Sequence, residues 1–324
     1  PQKVMQSLGA DVLRLWVAST DYANEISVSD DILRRMADSY RRMRNTLRFL
    51  LGNLAGFNPA RDAVPVDAMV ALDAWALGRA RELQDEVIAA YRAYDFHLIY
   101  QKVHNFCVVD LGGCFLDVTK DRLYTMQVAS PARRSAQTAM YHIAEAMVRW
   151  LAPILSFTAE EVWDYLPGPR AASVFHATWH PLPAVGVSTL CWAALIALRT
   201  DVQRELERLR EAGQIGAPLQ ARVELLCTPE ALPTYAALGD ELRFLLITSE
   251  ARVSALPEGS ATPEGAVAAA SRPGVWIRAV PSEAPKCVRC WQLRVDVGHD
   301  AAHPELCLRC VSNVDGPGET RAFA

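Results

Sequence analysis

Two C-x-x-C knuckles, Cys287-Val288-Arg289-Cys290 and Cys307-Leu308-Arg309-Cys310, lie 16 residues apart near the end of the 324-residue chain. Each pair sets two thiolates on one side of a tight turn. Four thiolates close a tetrahedron around one soft divalent ion, a geometry that suits Zn²⁺. The spacing is that of a zinc site. With cysteine at all four positions no coordination site stays open for a catalytic water. The expected metal is therefore structural, a staple for a peptide too small to bury a core. A disulfide pair and a redox dithiol are the competing readings. A redox C-x-x-C usually stands singly beside a βαβ pattern, which this stretch lacks. His299 and His303 lie between the knuckles and are alternative ligands.

Two further groups of side chains suit nucleic acid. Arg41, Arg44 and Arg48 recur at helical spacing, with Arg34 and Arg35 one or two turns earlier. Such a ridge can follow a phosphate backbone. Asp30, Asp31 and Asp38 are close enough to make it an ordinary solvated face instead. In Arg289-Cys290-Trp291 an indole and a guanidinium flank a metal knuckle, offering a base a stacking plane and a charged donor. Alternatively Trp291 covers the metal as a miniature core. No phosphate-cradling G-x-x-x-x-G-K-[ST] loop, dinucleotide fingerprint or G-x-S-x-G elbow occurs. His97, His104 and His142 sit on helical patterns and read as satisfied core or groove residues.

The elements that must carry these groups are mostly helical at first. From Asp30, Ile32, Met36, Tyr40, Met43, Leu47, Leu50 and Leu54 recur at steps of three and four. They predict a long amphipathic helix capped by Ser29 or Asp30 and ended by Gly56 or Pro59. A second helix is expected from Val66 to Tyr94. A third runs from Asp95 towards Asp117, apolar nearly all round, with Gly112-Gly113 as a weak point. Pro131 opens a fourth at a position that tolerates its missing N–H. Pro153 breaks it, and Thr158-Ala-Glu-Glu161 reads as a capping box for the next turn. After Pro181-Leu-Pro183 the pattern predicts a helix over 190–212, a strand over 222–227, a helix over 238–247, and strands over 251–256 and 275–280. Pro257 to Gly274 reads as a loop.

Net charge is -4, so any contact with nucleic acid must come from local basic faces. Cys107, Cys114, Cys191 and Cys227 lie in apolar stretches and are expected as buried free thiols, which fits a reducing cytoplasm. No signal peptide is visible. The longest stretch free of charged residues, 171–198, is broken by prolines and is too short in its apolar part to span a bilayer.

Several stretches resemble bacterial-type isoleucyl-tRNA synthetases. They include LRLWVASTDY at 13–22, DSYRRMRNT at 38–46, the run from Phe96-His97 to DRLY at 121–124, YHIAEA at 141–146, APILSFT at 152–158 and Glu161-Val162-Trp163. KCVRCW at 286–291 and CLRCVSN at 307–313 are similar to that family's C-terminal zinc peptide. The resemblance covers essentially the whole chain, with its motifs in the family's order. It implies a class I synthetase whose Rossmann catalytic domain, with HIGH and KMSKS signatures and sites for ATP and Mg²⁺, is not in this sequence. The chain then corresponds to the C-terminal region: inactive by itself, able to bind tRNA(Ile), and part of a monomeric parent. By the same resemblance Cys287, Cys290, Cys307 and Cys310 hold Zn²⁺, while Arg289 and Trp291 contact the anticodon region. The chain departs from the family's pattern at Ile215-Gly-Ala-Pro-Leu219, where Pro218 removes a backbone donor.

The expected fold class is mainly α. A helical-bundle anticodon-stem-binding domain (1–183) precedes a small α/β junction (184–284, with the loop 257–274) and a four-cysteine zinc-knuckle peptide (285–324). A free-standing, non-catalytic tRNA-binding homologue and a zinc-knuckle interaction or redox module are the alternative readings.

Overall fold

The structure is a computed structural model that describes residues 1–257 and 263–324. It falls into two compact units. The first comprises Pro1–Asp117 and Arg134–Gly186, the second Val118–Arg133 and Val187–Ala324. No helix among the described residues is long and apolar enough to cross a membrane.

The first unit is helical. Two short helices, α1 (Gln2–Leu8) and α2 (Ala10–Ser19), precede α3 (Asp30–Asn53). Ser29 caps α3 by accepting from the Ile32 amide at 3.2 Å. Leu33, Ala37, Met43, Leu47 and Leu50 form its buried stripe, with its arginines on the other side. A short α4 (Pro59–Asp62) and a 3₁₀ turn (Val66–Ala68) lead to α5 (Ala71–Ala93). The second helix thus begins five residues later than its pattern suggests. The Val70 amide is bonded to the Ser135 hydroxyl at 2.9 Å instead of to a preceding helical turn.

The third helix is the largest correction. It is α6 (Phe96–Asn105), a π-helical stretch (Phe106–Phe115) and α7 (Leu116–Thr125), not one α-helix. The wider π turn brings carbonyls under the glycines. A Cβ on Gly112 would stand 3.0 Å from the Cys107 oxygen, and one on Gly113 would stand 3.3 Å from that of Val108. The paired glycines make this winding accessible.

Pro131 opens α8 (Pro131–Leu151), as its ring suggests. The last helix of this unit, α9 (Ser156–Tyr165), starts before Thr158, so the expected capping box is absent. Its cap comes from another helix. Asp11 accepts from the Thr158 amide at 2.7 Å, its hydroxyl at 2.6 Å and the Phe157 amide at 3.4 Å. A buried carboxylate at a helix N-terminus is favoured by the same unpaired amides that a local cap would satisfy. His142 Nδ1 on α8 meets Nε2 of His180, in the segment that follows α9, at 2.9 Å. Gln84 donates to the His180 carbonyl at 2.9 Å and accepts from the Trp150 indole at 3.0 Å. Burial lowers the pKa of His142, and that of His180 to about 3. His142 is thus a satisfied interior residue. For His104 too, burial lowers the pKa.

The second unit holds a four-stranded sheet in the order β2 (Glu250–Ala255), β1 (Ala221–Cys227), β4 (Val275–Pro281), β3 (Val267–Ala268). Helix α10 (Trp192–Glu211) precedes β1 (Ala221–Cys227). Two short helices, α11 (Leu232–Ala236) and α12 (Leu242–Leu246), carry the crossover to β2 (Glu250–Ala255), which pairs parallel with β1. β4 (Val275–Pro281) pairs antiparallel with β1, setting Leu225 opposite Ile277. The helix expected over 238–247 is broken: a 3₁₀ turn (Gly239–Glu241) comes first and Ile247 is left-handed at φ 57°.

The expected loop 257–274 also needs correction. It contributes β3 (Val267–Ala268), an edge strand on β4; its residues 258–262 lie outside the described residues. Cys191 is exposed, unlike the buried Cys107, Cys114 and Cys227, because it stands just before α10. Burial pushes the Cys107 thiol up to about 12 and that of Cys227 to about 11, so both are inert apolar fillers.

Candidate metal centre and nucleic-acid interface

The two knuckles meet. The sulfurs of Cys287, Cys290, Cys307 and Cys310 all lie within 4.8 Å of one another, and all four residues are buried. The second pair begins α13 (Leu308–Asp315), with Cys307 at its N-cap and Cys310 in its first turn. Cys290 and Cys307 stand 3.8 Å apart, far beyond a disulfide bond of about 2.05 Å. All are free thiols, so the disulfide reading fails. The Cys307 amide points at the Cys287 sulfur, 3.4 Å away. Sulfur–sulfur hydrogen bonds from Cys307 and Cys310 draw the Cys290 thiol well below its ordinary range, while the reciprocal bond pushes Cys307 up to about 12. Four crowded thiols cannot all ionise without a cation between them, and a cation there would meet four convergent donors. His303 bonds to Asp315 instead, and His299 is not in the cluster.

The residues beside the cysteines have different surroundings. Trp291 is 62% exposed, at φ 64°, with the Lys286 ammonium 5.7 Å from its ring centroid. It does not cover the cluster. The indole faces outward and is open apart from Lys286 beside its ring. Arg289 donates to the Thr125 carbonyl at the end of α7. Pro218 opens a 3₁₀ turn (Pro218–Gln220), where a missing amide costs nothing, and Gln220 Oε1 accepts from the Gly216 amide at 2.5 Å.

Sequence reasoning missed what holds the peptide. Arg309, between the second pair of cysteines, and Arg321 are almost fully buried against Asp121 and Glu319. The ring of Phe244 lies 3.2 Å below the Arg321 guanidinium carbon. Burial alone would raise the Asp121 carboxyl, but Arg309 and then Arg321 outweigh it and hold the pKa down. An arginine inside a C-x-x-C knuckle was the one visible signal, and it gave no partner.

On the first unit, Arg41, Arg44 and Arg48 occupy one exposed face of α3. Arg41 pairs with Asp38. Arg44 lies 3.8 Å from Glu161, and Arg48 has no ion pair among the described residues. Arg41 and Arg44 thus each have an acidic neighbour at the surface, and all three guanidinium groups are exposed to solvent.

Comparison with known proteins matches both parts. Residues 73–225 fit the anticodon-binding domain of tRNA ligases, and residues 285–313 the zinc finger found in FPG and IleRS. Over its full length the chain is 56% identical to the isoleucine–tRNA ligase of Nitrosococcus oceani and 58% identical to that of Alkalilimnicola ehrlichii. It spans 35% of the length of each. The likeness to a solved LeuRS–tRNA–LeuAMS ternary complex from Agrobacterium radiobacter is weak. The TM-score is 0.40, with 18% identity over 79% of this chain and 30% of that one. The chain belongs to the bacterial isoleucine–tRNA ligase family and represents its C-terminal region, with the anticodon-binding domain and the zinc finger.

Proposed function

We propose that this chain binds tRNA(Ile) for a longer, monomeric, cytoplasmic ligase that joins isoleucine to it using ATP and Mg²⁺. The activation chemistry belongs to that protein's other part. Residues 1–183 embrace the anticodon stem, 184–284 form the junction, and 285–324 the zinc peptide. The observation that carries the reading is the co-occurrence of the anticodon-binding match with the clustered cysteines in one chain.

The metal is Zn²⁺, and it is structural. Zn–S bonds of about 2.3 Å would set tetrahedral sulfurs roughly 3.8 Å apart, close to the Cys290–Cys307 separation. Four thiolates leave no position for substrate. Bound zinc would fix the turn that presents Trp291.

Arg41, Arg44 and Arg48 hold phosphates of the stem, a contact blind to sequence and sensitive to salt. Arg289 and Trp291 serve the anticodon loop, whose unpaired bases can splay out. Arg289 orients the knuckle through Thr125 and keeps further donors for a phosphate or base edge. Trp291 supplies a stacking face.

The test compares two tRNAs that differ only in the anticodon. Trp291→Ala is expected to cost about 1–3 kcal/mol on tRNA(Ile), the range for loss of one stacked base, and less on the other. Zinc content is measured alongside. Equal losses on both tRNAs with zinc retained would show that Trp291 reads nothing.

A further inference from the structure

Arg309 carries one donor more than its carboxylate partners use. It is the third residue of the second knuckle, and its side chain is 8% exposed. Nη1 donates to Asp121 and Glu319, and Nη2 to Asp121. Nε is buried and meets no oxygen or nitrogen acceptor among the described residues. Buried N–H groups are rarely left so, because the lost bond to water goes uncompensated. The acceptor that remains in reach is sulfur. After the sulfurs of Cys307 and Cys310, the Arg309 charge and a hydrogen bond from its side chain help hold the Cys290 thiol down. The cysteines in turn need a cationic neighbour. One Zn²⁺ with four thiolates carries two negative charges in excess, and all four residues are buried. A buried charge requires a partner and hydrogen bonds. The Cys307 amide supplies a hydrogen bond to the Cys287 sulfur. For Cys290, Arg309 can supply both the bond and the charge.

We propose, on the zinc reading of the cluster, that Arg309 places its Nε–H on the Cys290 thiolate and tunes how tightly the four sulfurs hold the metal. Asp121 and Glu319 grip the other end of the guanidinium and aim it. The order carboxylate, guanidinium, thiolate, metal parallels the carboxylate–histidine–metal arrangement, in which an outer partner orients a ligand and adjusts its basicity. A charge-assisted bond draws electron density from the sulfur. It stabilises the thiolate against protonation and so favours metal over proton at that position. Arg321 shares both carboxylates with Arg309, but it lies outside the knuckles and stacks on Phe244. It is therefore the internal control: it holds the same anchor without reaching a ligand.

Two measurements on the full chain separate tuning from tethering. One is zinc affinity, by competition with a chromophoric chelator. The other is the sulfur-to-metal charge-transfer band of the chain loaded with Co²⁺. An N–H on a thiolate lowers its lone-pair energy, so losing that N–H moves the band to longer wavelength. Arg309→Gln should lose about 10–100-fold in zinc affinity, the range for an outer partner of a metal ligand, and should show the shifted band. Arg321→Gln breaks pairs with the same Asp121 and Glu319, yet its band should stay at the wild-type position whatever its stability. Arg309→Lys keeps a charge facing Asp121 but has no Nε. Its band should shift as well, which decides the matter even where Arg309→Gln is too unstable to load. An unshifted band in Arg309→Lys, or an equal shift in Arg321→Gln, would make Arg309 a tether only and overturn the assignment while the zinc reading stands. A wild-type chain that takes up neither Zn²⁺ nor Co²⁺ would overturn the zinc reading itself, and this assignment with it.

Discussion

Asp121 receives both ends of the Arg309 guanidinium, Oδ1 from Nη2 at 2.9 Å and Oδ2 from Nη1 at 2.7 Å. Asp121 lies on α7, Arg309 between two zinc-finger cysteines, and the two stand 188 positions apart in the chain. Arg321 donates to the same carboxylate at 2.7 Å, and Glu319 accepts from both arginines at 3.0 Å. The knuckle is thus fixed to a helix by paired charges.

Removing that carboxylate should be costly. Asp121→Ala leaves two nearly buried arginines with Glu319 as their only acid among the described residues. Breaking a buried pair from one side typically costs about 3–5 kcal/mol. Urea unfolding of the second unit should show a loss in that range. A change under about 1 kcal/mol would mean the network behaves as a surface ion pair.

The metal prediction is separable from this one. Metal analysis should find one Zn²⁺ per chain. A chelator should unfold the zinc peptide while the helical signal of the first unit persists. Cys307→Ser should reproduce the chelator's effect. A metal-free chain whose knuckle amides remain fully protected from exchange would contradict the structural role.

For the ridge, neutralising Arg41, Arg44 and Arg48 together should weaken all tRNAs by a similar factor. It should also flatten the dependence of log affinity on log salt by about 0.7–0.9 for each phosphate that is no longer neutralised. Arg41, already paired with Asp38, should contribute least of the three.

The His142–His180 contact predicts a pH dependence. Burial holds both rings below the ordinary histidine pKa in the folded chain, His180 at about 3. The unfolded chain therefore binds more protons below pH 6.5, and stability must fall as the pH drops from there towards 3. For His180 alone the loss between pH 7 and pH 5 should be about 2 kcal/mol. His180→Gln should remove most of that slope in thermal melts of the first unit. An unchanged slope would show that the pair is solvated.

The sequence by itself determined the four-cysteine cluster, the helical character of the first half, the strands near 222–227, 251–256 and 275–280, and the later part of the buried stripe of α3, from Met43 to Leu54; at its start Leu33 and Ala37 are buried, while the expected Ile32, Met36 and Tyr40 are only half-buried. These follow from local spacing: four cysteines at knuckle distances, periods near 3.6 and 2, and caps such as Ser29 and Pro131. Tertiary structure alone decided the rest, because each missed feature is an interaction between residues far apart in the chain. Asp11 caps α9 from 147 residues away from Thr158, so no capping box was needed where one was expected. Ser135 sets the start of α5 from α8. Gly112 and Gly113 marked a weak point, but whether the helix would break, kink or widen into a π turn depended on how its neighbours packed. The exposure of Trp291 and the anchoring of Arg309 on Asp121 have the same cause. Spacing can name a stacking ring or a charge, but its partner is chosen by the fold.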